Sequence, residues 1–215
     1  MSSPRRIFLG AFGQPGHAFP MLALGERLVR RGHEVSYETW ERWRPHVEAA
    51  GMEFVPAPEF SVFPTQDQPL KPYEAVVRAV VPTRKAIVAR RPDLVVHDIL
   101  TLAPSLAAEL ERIPTATLIP HLYPVAAPGL PPWSIGARLP STRAGRRFWS
   151  LFEHPLENGL RQGRDELNET RRRLGLPATE RLHGGLSPSL TLVATFPQLE
   201  YPRPWPPGVH VVGPM

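Results

Sequence analysis

Short apolar runs rich in β-branched residues alternate with segments of helical periodicity along the whole chain. That alternation constrains the fold more than any other feature. Each strand–helix–strand unit sets successive strands parallel and lays its helix across a sheet face. The runs Arg6–Phe12, His33–Thr39, Glu53–Val55, Asp93–Asp98, Thr115–Ile119, Leu190–Thr195 and a last one from Val209 read as strands. Met21, Leu24 and Leu28 repeat at helical spacing in a helix expected to open near Pro20, and Gly32 suits its C-terminal end. A short helix over Pro45–Ala50 follows. Then come a helix over Tyr73–Arg90 that Pro82 is expected to kink or split, and one capped by Thr101. Residues 142–174 read as two helices broken at Pro155–Gly159. The expected class is α/β: a Rossmann-like open, mostly parallel sheet of about six or seven strands with helices on both faces. Residues 1–215 read as one domain.

Composition narrows the partners. The 215 residues carry 25 Lys and Arg against 20 Asp and Glu, a net charge of +5, and only Lys71 and Lys85 are lysines. The charge is scattered, with short clusters at Arg143–Arg147 and Arg171–Arg173. No recognition-helix, RNP or zinc-finger pattern accompanies it, so no nucleic-acid partner is expected. The chain has no cysteine, which excludes disulfides, thiolate nucleophiles and Cys-type zinc sites. No apolar run approaches the ~20 residues of a membrane span, and the N-terminus lacks a signal-peptide pattern. A cytoplasmic location is expected. The aromatic pairs Phe148-Trp149 and Leu151-Phe152, beside Arg143–Arg147, are expected to pack their helix into the core rather than meet a membrane. Six prolines from Pro120 to Pro140 inclusive stiffen a loop too long to be a mere connector.

In open parallel sheets, ligands bind at the carboxyl ends of the strands, where the strand order reverses. With an order 3-2-1-4-5, that point lies between strands one and four. The turn Gly13-Gln-Pro-Gly-His17 follows strand one, and Asp98 ends strand four. Alone, a His in a turn is commonly a surface or capping residue, and an Asp ending a strand commonly caps the next helix. Their joint placement in one crevice is what carries chemistry. An imidazole with a pKa near 6.5 accepts a proton at neutral pH. A neighbouring carboxylate fixes its tautomer and stabilises the imidazolium. No Ser or Cys adjoins His17, so the expected task is to deprotonate a substrate hydroxyl. Gly10, Gly13 and Gly16 do not form G-x-G-x-x-G. Glu38, at the end of strand two where a dinucleotide fold places its ribose-binding acid, therefore makes a weak case for a nicotinamide enzyme.

The segment Pro15-Gly-His-Ala-Phe-Pro20, followed by Leu22–Val35 with its Arg31-Gly-His-Glu-Val35 run, resembles the N-terminal half of a GT-B glycosyltransferase. The bacterial natural-product and UDP-glucuronosyl/glucosyltransferase-like family is the nearest in kind. Pro92–Asp98 and Val211-Val-Gly-Pro214 match later landmarks of that family. The resemblance implies that His17 is a catalytic base oriented by Asp98. It implies inverting transfer from a nucleotide-diphosphate sugar, as co-substrate, to a hydroxyl of a small hydrophobic acceptor. It implies neither a metal nor a resident cofactor. Phe60, Phe63, His121, Tyr123 and Trp133 fall in loops that line the acceptor pocket of the family. The glycine-rich, nucleotide-sugar-binding second domain is not among these 215 residues, so the isolated half is expected to transfer little or no sugar. A non-catalytic partner or scaffold for a complete transferase is the alternative, with an NAD(P)-dependent oxidoreductase behind it.

Overall fold

The computed structural model describes residues 3–57 and 74–215, apart from the Trp133 side chain. Seven strands form one parallel sheet: β1 Arg6–Gly10, β2 Glu34–Thr39, β3 Glu53–Pro56, β4 Leu94–Asp98, β5 Thr115–Ile119, β6 Thr191–Val193 and β7 Val209–Val211. Their order across the sheet is β3-β2-β1-β4-β5-β6-β7. The chain winds outward from β1 to one edge, returns, and continues from β4 to the other. The reversal falls between β1 and β4, which pair Ile7 with Leu94 and Gly10 with His97.

Among the described residues there are six α-helices: α1 Pro15–Arg30, α2 Arg44–Ala49, α3 Glu74–Arg90, α4 Leu102–Leu110, α5 Arg143–Ser150 and α6 Glu153–Arg173. Alternation along the strands sorts the core into two layers. Ile7, Leu9, Val35, Tyr37 and Val96 face α1 and α2 in one cluster. Phe8 and Val95 point the other way, onto Val80 and Ile87 of α3 and Leu106 and Ala107 of α4. A third cluster, with Ile119, Tyr123 and Val193, lies towards the β7 edge. The buried Arg171 of α6 clamps α4 from outside: its guanidinium donates twice to Glu109 at 2.7 Å and once to the Pro177 carbonyl.

The helices differ from expectation in four places. α1 begins at Pro15, five residues ahead of Pro20, so His17 lies in its first turn and Pro20 is interior. Both prolines suit an early helical position, but Pro15 takes N1, where its missing N–H costs nothing. α3 runs unbroken through Pro82. The break between α5 and α6 falls at Leu151–Phe152, and Pro155 sits in the first turn of α6. Thr101 holds the N-cap position of α4, but its hydroxyl makes no capping bond.

The aromatic pairs also depart from expectation. α5 has no buried residue, and Phe148, Leu151 and Phe152 stand 53%, 73% and 44% exposed. They pack on one another rather than on the sheet: Phe148 meets Trp149 and Phe152 with ring centroids 5.3 Å apart. Among the described residues, no helix is long and apolar enough to cross a membrane.

Candidate active site at the sheet reversal

Strand β1 ends at Gly10, and the loop that follows delivers α1 with His17 in its first turn. Strand β4, the immediate neighbour of β1 across the reversal, ends at Asp98. Though 81 positions apart in the chain, the two side chains meet: His17 Nδ1 lies 2.8 Å from Asp98 Oδ2. Asp98 is 1% exposed and His17 17%. The other carboxylate oxygen, Oδ1, accepts the Leu100 backbone N–H at 2.9 Å, and the Asp98 carbonyl accepts from Thr101 N–H. The carboxylate is thus held from two sides and cannot swing away from the imidazole. With Nδ1–H donated to Asp98, the lone pair sits on Nε2, on the far edge of the ring. That is the tautomer a general base needs.

Support for each half of the pair is built in. The Gly13 carbonyl accepts from Trp43 Nε1 at 2.8 Å and from Arg42 Nη2, which ties the β1–α1 loop to the segment after β2. A Cβ on Gly13 would meet the Trp40 ring at 2.1 Å, so glycine lets that ring close over the loop. Beside Asp98, the fully buried His97 has a fixed orientation. Ser187 N–H donates to Thr117 Oγ1, so the Thr117 hydroxyl turns its own hydrogen to His97 Nε2 at 2.9 Å. His97 Nδ1–H then donates to the Asp98 carbonyl. Burial pushes the His97 pKa down to about 4, so this ring is neutral and structural.

The expected acceptor-lining residues fare differently. His121 lies close enough to the dyad that His17 and Asp98 both act on its charge. Desolvation lowers its pKa, and its Nδ1–H donates to the Leu122 carbonyl at 2.8 Å. Tyr123 is 5% exposed and enclosed in the third core cluster, its ring 5.5 Å from Trp205 with the Arg203 guanidinium over it. It braces the proline-rich loop instead of presenting a free ring. Trp133 opens a short 3-10 turn, but its side chain lies outside what the structure describes. Phe60 and Phe63 also lie outside the described residues.

Sequence reasoning missed Phe12 and Trp40. The Phe12 ring stands edge-on to His17 at 6.2 Å and to Trp40 at 5.0 Å, forming an aromatic wall beside the dyad. Their aromatic character next to two strand ends was the available signal. Glu38, near the carboxyl end of β2, is 4% exposed and accepts a hydrogen bond from Thr83 Oγ1 of α3 at 2.8 Å. Among the described residues, no three His, Asp or Glu side chains stand together as a metal-binding group.

Residues 7–117 match the model of the glycosyltransferase family 28 N-terminal domain. The chain belongs to this family. As a family 28 N-terminal domain it resembles a 4'-demethylrebeccamycin synthase of Lentzea aerocolonigenes, 26% identical over 97% of this chain and 56% of that protein. It also resembles an O-mycaminosyltylonolide 6-deoxyallosyltransferase of Streptomyces fradiae, 30% identical over 97% of this chain and 54% of the other. Among solved structures, the calicheamicin glycosyltransferase CalG4 is 25% identical and superposes with a TM-score of 0.62 over 99% of this chain and 52% of that one. The chain therefore spans about half the length of the curated relatives it matches. The GT-B resemblance and the α/β class agree with these neighbours.

Proposed function

We propose that this chain is the acceptor-binding, base-bearing half of an inverting glycosyltransferase. The single observation that carries the reading is the His17–Asp98 contact at the sheet reversal, with Nε2 left to face a ligand. In this mechanism an acceptor hydroxyl approaches Nε2. As the oxygen attacks the anomeric carbon of a nucleotide-diphosphate sugar, its proton passes to His17. The bond from that carbon to the diphosphate oxygen breaks, and the diphosphate leaves from the opposite face with inversion. Asp98 stabilises the imidazolium without taking the proton. The apolar wall of Phe12 and Trp40 suits a small hydrophobic acceptor. The reading includes no metal ion and no resident cofactor. The donor belongs to a second domain of the longer enzyme, and closure of the two halves brings the reacting atoms together.

The test is transfer by the full-length enzyme, read as nucleoside diphosphate release and as the anomeric configuration of the product. His17→Ala is expected to slow turnover roughly 10²–10⁴-fold, the usual contribution of a general base. Wild-type turnover in that variant, or a product with retained configuration, overturns the mechanism. The 215 residues alone are expected to show little or no transfer. Robust transfer by them would refute the division of labour.

A further inference from the structure

Beside the dyad, the carboxyl ends of β1, β2 and β3, the turn after β4 and α3 border an open cavity of about 100 Å³. Its lining is mostly apolar, with Phe12, Trp40 and Val76 as walls. Three polar side chains interrupt it: Glu38, Thr83 and Thr101. Their bonding is lopsided. Thr83 spends its hydroxyl hydrogen on one Glu38 oxygen, and no second hydrogen bond to that carboxyl forms among the described residues. The buried Thr101 hydroxyl has no hydrogen-bond partner among the described residues. A buried carboxyl with one unused oxygen in an apolar chamber is costly to keep unless something completes its bonding. The cavity borders the candidate catalytic pair through shared neighbours, Phe12 and Leu100, which line it. The Phe12 ring spans from His17 to Trp40, and the backbone of Leu100, which precedes Thr101, holds Asp98.

We infer that this cavity receives the apolar body of the acceptor, and that Glu38 accepts a hydrogen bond from an N–H or O–H group on that body. Glu38 is thus a specificity residue, one that selects ring systems bearing a donor distinct from the hydroxyl that His17 deprotonates. Thr83 holds the carboxyl in place, and Thr101 supplies a second polar contact. This rests on the proposed function, since it names what the acceptor half binds. Desolvation raises the Glu38 pKa to about 7, so a donor that favours the ionised carboxylate finds it available at neutral pH.

The experiment compares two rings of nearly identical shape, indole and benzofuran, which differ in the N–H donor. Binding to the intact protein is followed by ligand-observed NMR titration. Benzofuran is the more apolar of the two, so burial alone favours it. The wild type is expected to bind indole at least about tenfold more tightly, the ratio a hydrogen bond to a charged acceptor supports. Glu38→Leu is expected to reduce the ratio to about one while benzofuran still binds. Glu38→Gln, which keeps the shape and a neutral acceptor, is expected to leave a ratio of a few-fold, and it serves if the leucine variant does not fold. Equal binding of the two rings, no indole binding up to its solubility limit, or an unchanged ratio in a folded variant overturns the inference. The readout is binding, so the two claims fail separately. Discrimination without sugar transfer counts against the proposed function alone; transfer without discrimination counts against the role of Glu38 alone.

Discussion

In the proposed mechanism Asp98 both orients His17 and stabilises its imidazolium, and that role is measurable. Asp98→Asn preserves the volume but offers an amide whose N–H can face Nδ1. The ring then has reason to carry its proton on Nε2, where the base must be empty. A loss of transfer approaching that of His17→Ala, roughly 10²–10⁴-fold, is expected in the full-length enzyme. Turnover within about threefold of wild type would show that the carboxylate is dispensable. Two other buried groups govern stability with opposite signs. The folded pKa of His97 lies at about 4, below its ordinary value of 6.5. As pH falls from 6.5 to 4 the unfolded chain takes up a proton that the native state refuses, and up to about 3 kcal/mol of stability is lost. The folded pKa of Glu38 lies at about 7, above its ordinary 4.5. Its contribution is full below 4.5 and is lost as pH rises through 7, again by about 3 kcal/mol. Between these values the two slopes oppose each other. Urea denaturation of Glu38→Gln is therefore expected to gain on wild type by about 3 kcal/mol as pH rises from 4.5 to 7. A constant gap across that range would show that the Glu38 pKa does not change on folding.

At the scale of elements, legibility followed the range of the interaction. Strand positions and their order were readable, because each strand is a local apolar run and crossover connections restrict the order. The dyad was readable for the same reason: Asp98 ends β4, and His17 follows β1 closely, in the first turn of α1, at the reversal. Where helices begin and break was less so. Pro15 and Pro20 carry the same local signal, and the choice between them depends on how the Gly13 loop is pinned by Arg42 and Trp43. The bonding of Glu38 depends on Thr83, 45 residues away on α3, and no spacing rule announces that pair. The burial of Tyr123 likewise depends on a segment some 80 residues later, where Glu200 accepts its backbone N–H and Trp205 meets its ring. Two variants probe these joints. Gly13→Ala forces a Cβ into the Trp40 ring and is expected to destabilise by about 1–3 kcal/mol and to lower transfer by displacing the N-terminal turn of α1. Arg171→Leu removes three hydrogen bonds between α6, the 177 carbonyl and α4. It is expected to cost about 1–3 kcal/mol in chemical denaturation. A neutral result for either would mean that the neighbouring segment re-forms without it.

For the molecule as a whole, the all-parallel order has a consequence for the way the polypeptide is made. β1 lies inside the sheet, yet its neighbour β4 pairs Leu94 with Ile7, almost ninety residues downstream. A ribosome adding about 5–20 residues per second leaves one side of that first strand bare for several seconds. The emerging nascent chain must meanwhile shield Phe8 and Leu9, which the finished sheet encloses completely. Until the segment through Asp98 has cleared the exit tunnel, that bare strand edge stays open to pairing with the wrong partner.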